Sequence, residues 1–545
     1  MATLSELEQE WDAIVIGTGM GGAVLGHALA RAGQRVLFCE KGRSSDEQAQ
    51  ALRGAYPETA FPEPLAPAPE HRAVLQRAGR YPEQIADRSG ARGSSFIPFI
   101  GSGNGGSTAL YGMALERFFP ADFAPRQAFP QAPADCTLPD AWPVSYQAMT
   151  PYYEQAEILF RLRGSADTLR PTEGRAHLMP APPLTPASAE LFEFFQRQQL
   201  HPYRLPLACE FVEGCSGCQG YLCARECKND ANRICLRPAL RQHGALLLDE
   251  CEVLRLEADR SAVSGVVCNW RGREIRLRGR QVILAAGALE SPRLLLRSAS
   301  AHWPAGLAND SGLVGKNLMR HHIDLYLIRP KLRPPFDNRQ KEFAFNDFYQ
   351  VDGQKLGSVQ SFGRLPPAPV LAASLADDLR QGPAPWLAPL FALVRPLVQR
   401  FLGKLVDQHL ILASTLEDLP YADNCVTLSP DDGARLQLRY RTRPHDQQRI
   451  AAFRQLIKQS LRPYPYQVLK QADNNQRIAH ACGTCRFGHD PRSSVLDANN
   501  RAHGLANLYV VDSSFFPSSG GTNPSLTIAA NALRVADHLL GRQRT

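Results

Sequence analysis

The chain has 545 residues, enough for two domains sharing an interface, and 44% apolar with 21% charged residues, the proportions of an ordinary globular protein. Its formal charge of +8 comes from 61 basic and 53 acidic side chains scattered along the chain; with no basic block or aromatic-interleaved basic stripe, nucleic acid is excluded as the expected partner. The first residues, MATLSELEQE, carry acids where a secretion signal carries lysine or arginine, so a cytoplasmic start is expected.

The first predicted elements are a strand, a glycine turn, a helix with small residues on one face and a second strand, in WDAIVIGTGMGGAVLGHALARAGQRVLFCEKG. In such a βαβ unit Gly17 permits the tight turn, Gly19 lets backbone approach a pyrophosphate and Gly22 lets helix and strand pack closely. Glu40, at the end of the second strand, stands where an acid binds an adenosine ribose. A bound dinucleotide follows, NAD or FAD. Phe61 to Pro69 is a Pro-rich loop. GSGNGGSTALYGMALERF, Gly101 to Phe118, is a second glycine segment whose amides can lie against a flat ring or a phosphate, with Gly105, Gly106, Ser107, Tyr111, Gly112 and Met113 as its candidate contacts.

WPVSYQAMTPYYEQAEILF reads as a helix with aromatic anchors. Next, GCSGCQGYLCARECKND places Cys215, Cys218, Cys223 and Cys227 in a C-x2-C-x4-C-x3-C run. Without an export signal a disulfide knot is disfavoured, leaving a metal site or a plain loop. Zinc knuckles normally need two close C-x-x-C pairs. The run is similar to ferredoxin spacing without matching it, and lacks the closing proline. Further on, QVILAAGALESPRLLLRSA is a strand whose small residues Ala285, Ala286 and Gly287 suit a close cofactor, with a turn expected at Pro292. Leu365 to Val370 reads as a loop. The apolar stretch Ala384 to Val406 is broken by Pro389, Arg395, Pro396, Arg400 and Lys404, so it is not expected to span a membrane. It is either a buried helix pair or a flap at an apolar entrance or membrane surface. No strand leads into a G-x-S-x-G elbow, which argues against a serine hydrolase.

The C-terminal stretch, HACGTCRFGHDPRSSVLDANNRAHGLANLYVVDSSFFPSSGGTNPSLTIAANALRVADHLL, closely resembles the glucose–methanol–choline (GMC) oxidoreductase family. That family's H-P-x-G-T, D-x-S-x-x-P and N-P-x-x-T pieces correspond here to His480–Thr484, Asp512–Pro517 and Asn523–Thr527. GNGGST with YGM, AAGALESPRLLL and GLVGKNLMRHH agree with it, and the resemblance covers essentially the whole chain, least of all 330 to 470. Ala481 departs from the family's proline, and Cys482 and Cys485 crowd the same loop. Leu110 stands where some members carry a flavin-linked histidine, so the resemblance implies non-covalent FAD. Tyr111 stands where many have asparagine.

The resemblance further implies oxidation of an alcohol, with hydride passing to flavin N5. His480 is the implied acid/base and Asn523 the group that holds the hydroxyl. Asp512 would lie near the ribityl chain, and the helix opened by Pro524 and Thr527 would aim its amides at the flavin. Val253, in the strand after the cysteine loop, would lie near the adenine. His321, His322 and His489 are read as structural hydrogen-bonders. For the cysteines the family offers two answers: some sugar dehydrogenase subunits carry an iron–sulfur cluster in this region and pass electrons to a protein partner, while other members carry none.

The expected fold is α/β, a Rossmann-like FAD-binding domain of discontinuous segments (1–125, 205–330 with the cysteine loop 214–230, and 475–545). A substrate-binding cap with a mostly antiparallel sheet would be built from 126–204 and 331–474. The expected function is FAD-dependent oxidation of a small-molecule primary or secondary alcohol, leaning to an apolar one because of the 384–406 stretch. The alternatives are a sugar or polyol dehydrogenase relaying electrons through an iron–sulfur cluster to a protein partner, and a non-oxidative flavin-dependent lyase.

Overall fold

A computed structural model of the chain describes residues 7–46, 50–60, 69–90, 93–170, 177–334, 336–337, 341–381, 385–472, 474 and 478–542. The predicted βαβ unit is present as strand Glu10–Ile16, helix Met20–Arg31 and strand Val36–Cys39. Both strands are fully apolar where they enter the core, as parallel strands covered on both faces must be. Glu10–Ile16 lies between Val36–Cys39 and Arg273–Leu284, parallel to each, and Leu246–Leu248 and Leu508–Val510 extend the parallel set. Cys251–Ala258 and Val263–Trp270 add an antiparallel flank. The small residues of the first helix serve packing: a Cβ on Gly22 would meet Gly17 O at 2.2 Å.

A second sheet of six strands runs in the order Tyr466–Leu469, His322–Ile328, Leu410–Leu416, Gly357–Ser361, Phe343–Phe345, Tyr203–Arg204, with antiparallel pairings. Its apolar face packs on helices Pro186–Arg197 and Pro444–Ser460 through Leu191, Phe195, Phe343, Leu412, Phe453 and Ile457. Helix Tyr146–Leu159 forms where the aromatic-anchored stretch predicts one, capped by Ser145 Oγ accepting from Ala148 N. It packs against the C-terminal helix Ser525–Leu539, and the Tyr153 and Thr527 hydroxyls share a 2.8 Å hydrogen bond.

Three local expectations are corrected. The turn after Arg273–Leu284 falls at Ala285–Gly287, where Gly287 has φ +90°, and Pro292 lies inside helix Gly287–Arg297. A proline there leaves the carbonyl four residues back without its helical donor. That carbonyl, Ala288 O, accepts instead from the Thr484 hydroxyl at 2.7 Å. Residues Leu365–Val370 form a loop only as far as Pro367, since helix Ala368–Gln381 begins at the next residue. Of the earlier Pro-rich piece, residues 61–68 lie outside the described residues, and Pro69 opens helix Pro69–Arg77. Helix Ala388–Asp407 is present, but Leu390, Leu393, Val394, Leu397 and Phe401 face solvent, Leu393 at 79%. The proline and cations of this stretch do not interrupt the helix, and only its other side packs, with Leu405 and Val406 joining Leu371 and Ile411. Among the described residues no helix is long and apolar enough to cross a membrane.

Candidate active site

The glycine segments meet above the first helix. Gly17 has φ +99°, and a Cβ there would strike Ala285 O at 2.5 Å, whereas a Cβ on Gly19 would meet nothing within 4 Å. Gly19 caps helix Met20–Arg31 without a side-chain bond, which leaves first-turn amides for an anion. Gly105 and Gly106, at φ +84° and +51°, bring the second glycine segment over it; a Cβ on Gly106 would come to 3.0 Å from Gly19 Cα. Ser107 is exposed there, its Oγ accepting from Gly101 N. An open cradle of backbone floored by a helix N-terminus fits a pyrophosphate, and the residues present fit FAD or another dinucleotide.

Two buried carboxylates tie this cradle together. Glu40 accepts from Thr18 N at 3.1 Å and Thr18 Oγ1 at 2.7 Å on one oxygen, and from Gly42 N at 2.8 Å and Gly103 N at 3.0 Å on the other. Asp512 accepts from Gly287 N and Ser291 Oγ on one oxygen and from Ser514 N and Oγ on the other. Burial pushes both carboxyls above their ordinary range, and these donors offset only part of that rise. Ala286 sits at the same turn, its N donating to Ser291 Oγ. Val253 is buried in Cys251–Ala258, a strand held to the cradle by Cys251 N donating to Glu40 O.

At the other end of the site the segment Met319–His321 pairs with Ala479–Cys482: Met319 and Cys482 exchange both backbone bonds, and His321 N donates to Ala479 O at 3.0 Å. This register sets His480, at φ +59°, beside His321, with their Nδ1 atoms 2.8 Å apart. His321 Nε2 lies 2.8 Å from Gly520 O and 3.2 Å from Ser519 O. Carbonyls only accept, so His321 carries its proton on Nε2 and its Nδ1 is an acceptor. His480 must then donate from Nδ1, which leaves the lone pair on its Nε2, a nitrogen with no hydrogen bond among the described residues. Burial first, then the charges of His321 and Lys341, hold His480 well below the usual histidine range. Burial takes His321 down to about 4. His321 is a hydrogen-bonder, as expected, but its partner is His480, and a lone histidine in a sequence does not show that it faces another one far along the chain. His322 does serve structure, between Asp418 and Ala472 O.

The loop that receives the His321 proton continues to Thr522, whose hydroxyl donates to Glu116, and to Asn523. Asn523 is 7% exposed, and its Oδ1 has no partner among the described residues. Pro524 caps the helix that holds Thr527, again without a side-chain bond. Gly112 packs close to Gln219 and Lys341. Met113 is buried at φ +63°. Tyr111 turns away from these groups to donate to Asn229 O at 2.7 Å, so it secures the cysteine loop.

That loop is pinned to the glycine segment by Lys228 Nζ donating to Ala109 O at 2.7 Å and by Gly220 N donating to Leu110 O at 2.7 Å. The three thiols that converge within 4.8 Å of one another are Cys209, Cys215 and Cys227. Cys223 lies 3.6 Å from Cys227, and Cys218 neighbours Cys223. Cys209 stands outside the run that sequence spacing singled out, brought in by the backbone bridge between Cys209 and Lys228. A second convergent set, Cys39, Cys251 and Cys268, is buried in strands beside Glu40; distant cysteines carry no spacing signal.

A glycine cradle suited to a dinucleotide and a histidine pair, His321 buried and His480 half-buried, fit a nucleotide-dependent oxidoreductase. Family models described as GMC oxidoreductase match residues 207–323 and 420–532. Paromamine 6'-oxidase of Streptomyces fradiae is 29% identical, over 98% of this chain and 92% of that one. The 6'''-hydroxyparomomycin C oxidase of Streptomyces lividus is 31% identical, again over 98% and 92%. The crystal structure of pyridoxine 4-oxidase from Mesorbium loti superposes with a TM-score of 0.62 at 21% identity, covering 98% of this chain and all of that one, a likeness of fold. The chain belongs to the GMC oxidoreductase family and is an oxidoreductase with that family's flavoprotein fold.

Proposed function

We propose that the enzyme oxidises the hydroxyl of a polar primary or secondary alcohol, with FAD held non-covalently and His480 Nε2 as the base. The observation that carries the reading is the chain His480, His321, Gly520 O, which fixes one tautomer and leaves one lone pair open. Bound flavin supplies a two-electron acceptor for the hydride. The protein's part is the proton. His480 Nε2 takes it from the substrate hydroxyl, and the imidazolium so formed keeps its Nδ1 bond to His321 unchanged, so nothing reorganises as charge develops. Because the hydroxyl's one proton goes to His480, Asn523 can hold the hydroxyl oxygen only through its Nδ2 donor, which leaves its unpaired Oδ1 for another donor of the substrate.

The expectation of an apolar alcohol rests on 384–406, whose apolar face lies on the outside. Lys341, with Gln219 beside it and its charge reaching His480 and Glu116, favours a polar substrate. Anaerobic bleaching of the flavin tests this: a polyol or sugar alcohol should reduce the wild type and fail to reduce His480→Ala. If no alcohol reduces a fully loaded flavin, alcohol oxidation is wrong.

The convergence of Cys209, Cys215 and Cys227 next to the glycine segment supports a second reading of electron exit, through an iron–sulfur cluster to a protein partner. About three irons with matching acid-labile sulfide per flavin, lost in Cys215→Ser with Cys227→Ser, would establish it; flavin without iron would leave oxygen or a diffusible acceptor.

A further inference from the structure

Three lysines are buried among the described residues, and two are answered by the protein. Lys355 lies between Asp122 and Glu417, and Lys228 donates to two carbonyls. Lys341 is 7% exposed, with no hydrogen bond or ion pair to any described residue; its ammonium lies only over the Phe362 ring, 5.5 Å from the centroid. It stands just before strand Phe343–Phe345 of the sheet that carries His322–Ile328, not among the nucleotide-binding elements. Its Cε and Gln219 Oε1 would each lie 2.8 Å from a Cβ on Gly112, so both side chains fill the space that residue's missing side chain leaves. Its charge reaches His480.

The acid whose charge supports Lys341 is Glu116, and Glu116 is already engaged. Its Oε1 accepts from Tyr203 and from Arg170 at 3.3 Å, and its Oε2 from Thr522 at 2.8 Å. An ammonium removed from water without a counter-charge is costly, and a hydroxyl does not replace what water and an anion supply.

We propose that Lys341, with Gln219 beside it, binds an anionic group of the substrate, a carboxylate or a phosphate carried by the same molecule as the alcohol. This rests on the reading of His480 as the base, and it sets this enzyme apart from an amino-sugar oxidase, because a cationic substrate would bring an ammonium toward Lys341. Burial draws Lys341 down to about 8, so anion affinity should fall as pH rises through that value.

The test is ligand binding to the FAD-loaded enzyme, read by perturbation of the flavin spectrum with benzoate, phenyl phosphate and benzamide, which separates carboxylate, phosphate and neutral probes without requiring turnover. Benzoate or phenyl phosphate should bind at least about tenfold more tightly than benzamide, as a charge-assisted bond requires. Lys341→Met should erase that preference and leave benzamide unchanged, and Lys341→Arg should keep it. Equal binding of benzamide, no response to either anion, or an anion preference that survives Lys341→Met would overturn the proposal. So would loss of FAD from Lys341→Met, which would place the lysine on the cofactor. Failure of alcohols to bleach the flavin would strike the base assignment instead and leave this binding result standing.

Discussion

The two ends of the site treat buried polar groups in opposite ways. In the cradle, Glu40 and Asp512 each accept four hydrogen bonds from the protein's own loops. At the histidine end, His480 Nε2, Asn523 Oδ1 and Lys341 Nζ are left without partners among the described residues. A satisfied buried carboxylate organises backbone; an unsatisfied donor or acceptor waits for a ligand. The cradle thus organises its own backbone, and the histidine end offers open groups to a ligand.

Substitutions at each end should separate the two. His480→Ala should lower the rate of flavin reduction by about 10²–10⁴-fold while the melting temperature stays near that of the wild type; a large fall in melting temperature would break the contrast. With His480 as the proposed base, the active form would be the neutral imidazole, and its depressed pKa would keep that form dominant through neutrality. The rate should thus be flat near pH 7 and fall only on acidification below the ordinary histidine range. Glu40→Ala should do the reverse, orphaning the donors of Thr18, Gly42 and Gly103 and costing about 2–5 kcal/mol of stability by denaturant unfolding, together with flavin retention.

Under the proposed mechanism His321 would act through His480, which its Nδ1 meets at 2.8 Å. Without an acceptor at its Nδ1 position the His480 tautomer is no longer fixed, so His321→Leu should cost about a hundredfold in kcat, with KM little changed. His321→Asn, which can present Oδ1 to the same proton, should recover most of the loss. Equal rates for the two variants would reduce His321 to packing. The smallest effect is expected far from both ends: Leu397→Gln on the exposed face of Ala388–Asp407 should shift unfolding by no more than about 0.5 kcal/mol and leave flavin reduction unchanged.

Much of the cradle was legible in the sequence, since its signals are local. Gly17, Gly19 and Gly22 lie within one turn, and the flanking strands announce themselves by uninterrupted apolar runs. His480 and Asn523 were legible through their family pattern. Other parts of the site were not: His321 stands just before strand His322–Ile328 of the other sheet, Lys341 in a loop with no motif, and Cys209 at a position before the spaced run. Pro292 shows the same limit in one residue. A proline inside a helix is tolerated here because Thr484, nearly two hundred positions on, supplies the missing donor, and only a folded chain reveals that.

The sequence by itself determined the family, the nucleotide cradle and the identity of the candidate base, because each rests on backbone conformation or on neighbours a few positions apart. Tertiary structure decided the tautomer of His480, the isolation of Lys341 and the outward face of Ala388–Asp407. Those properties depend on which distant groups share a desolvated space, and hydrogen-bond supply and burial are set by packing across strands and loops that no local pattern specifies.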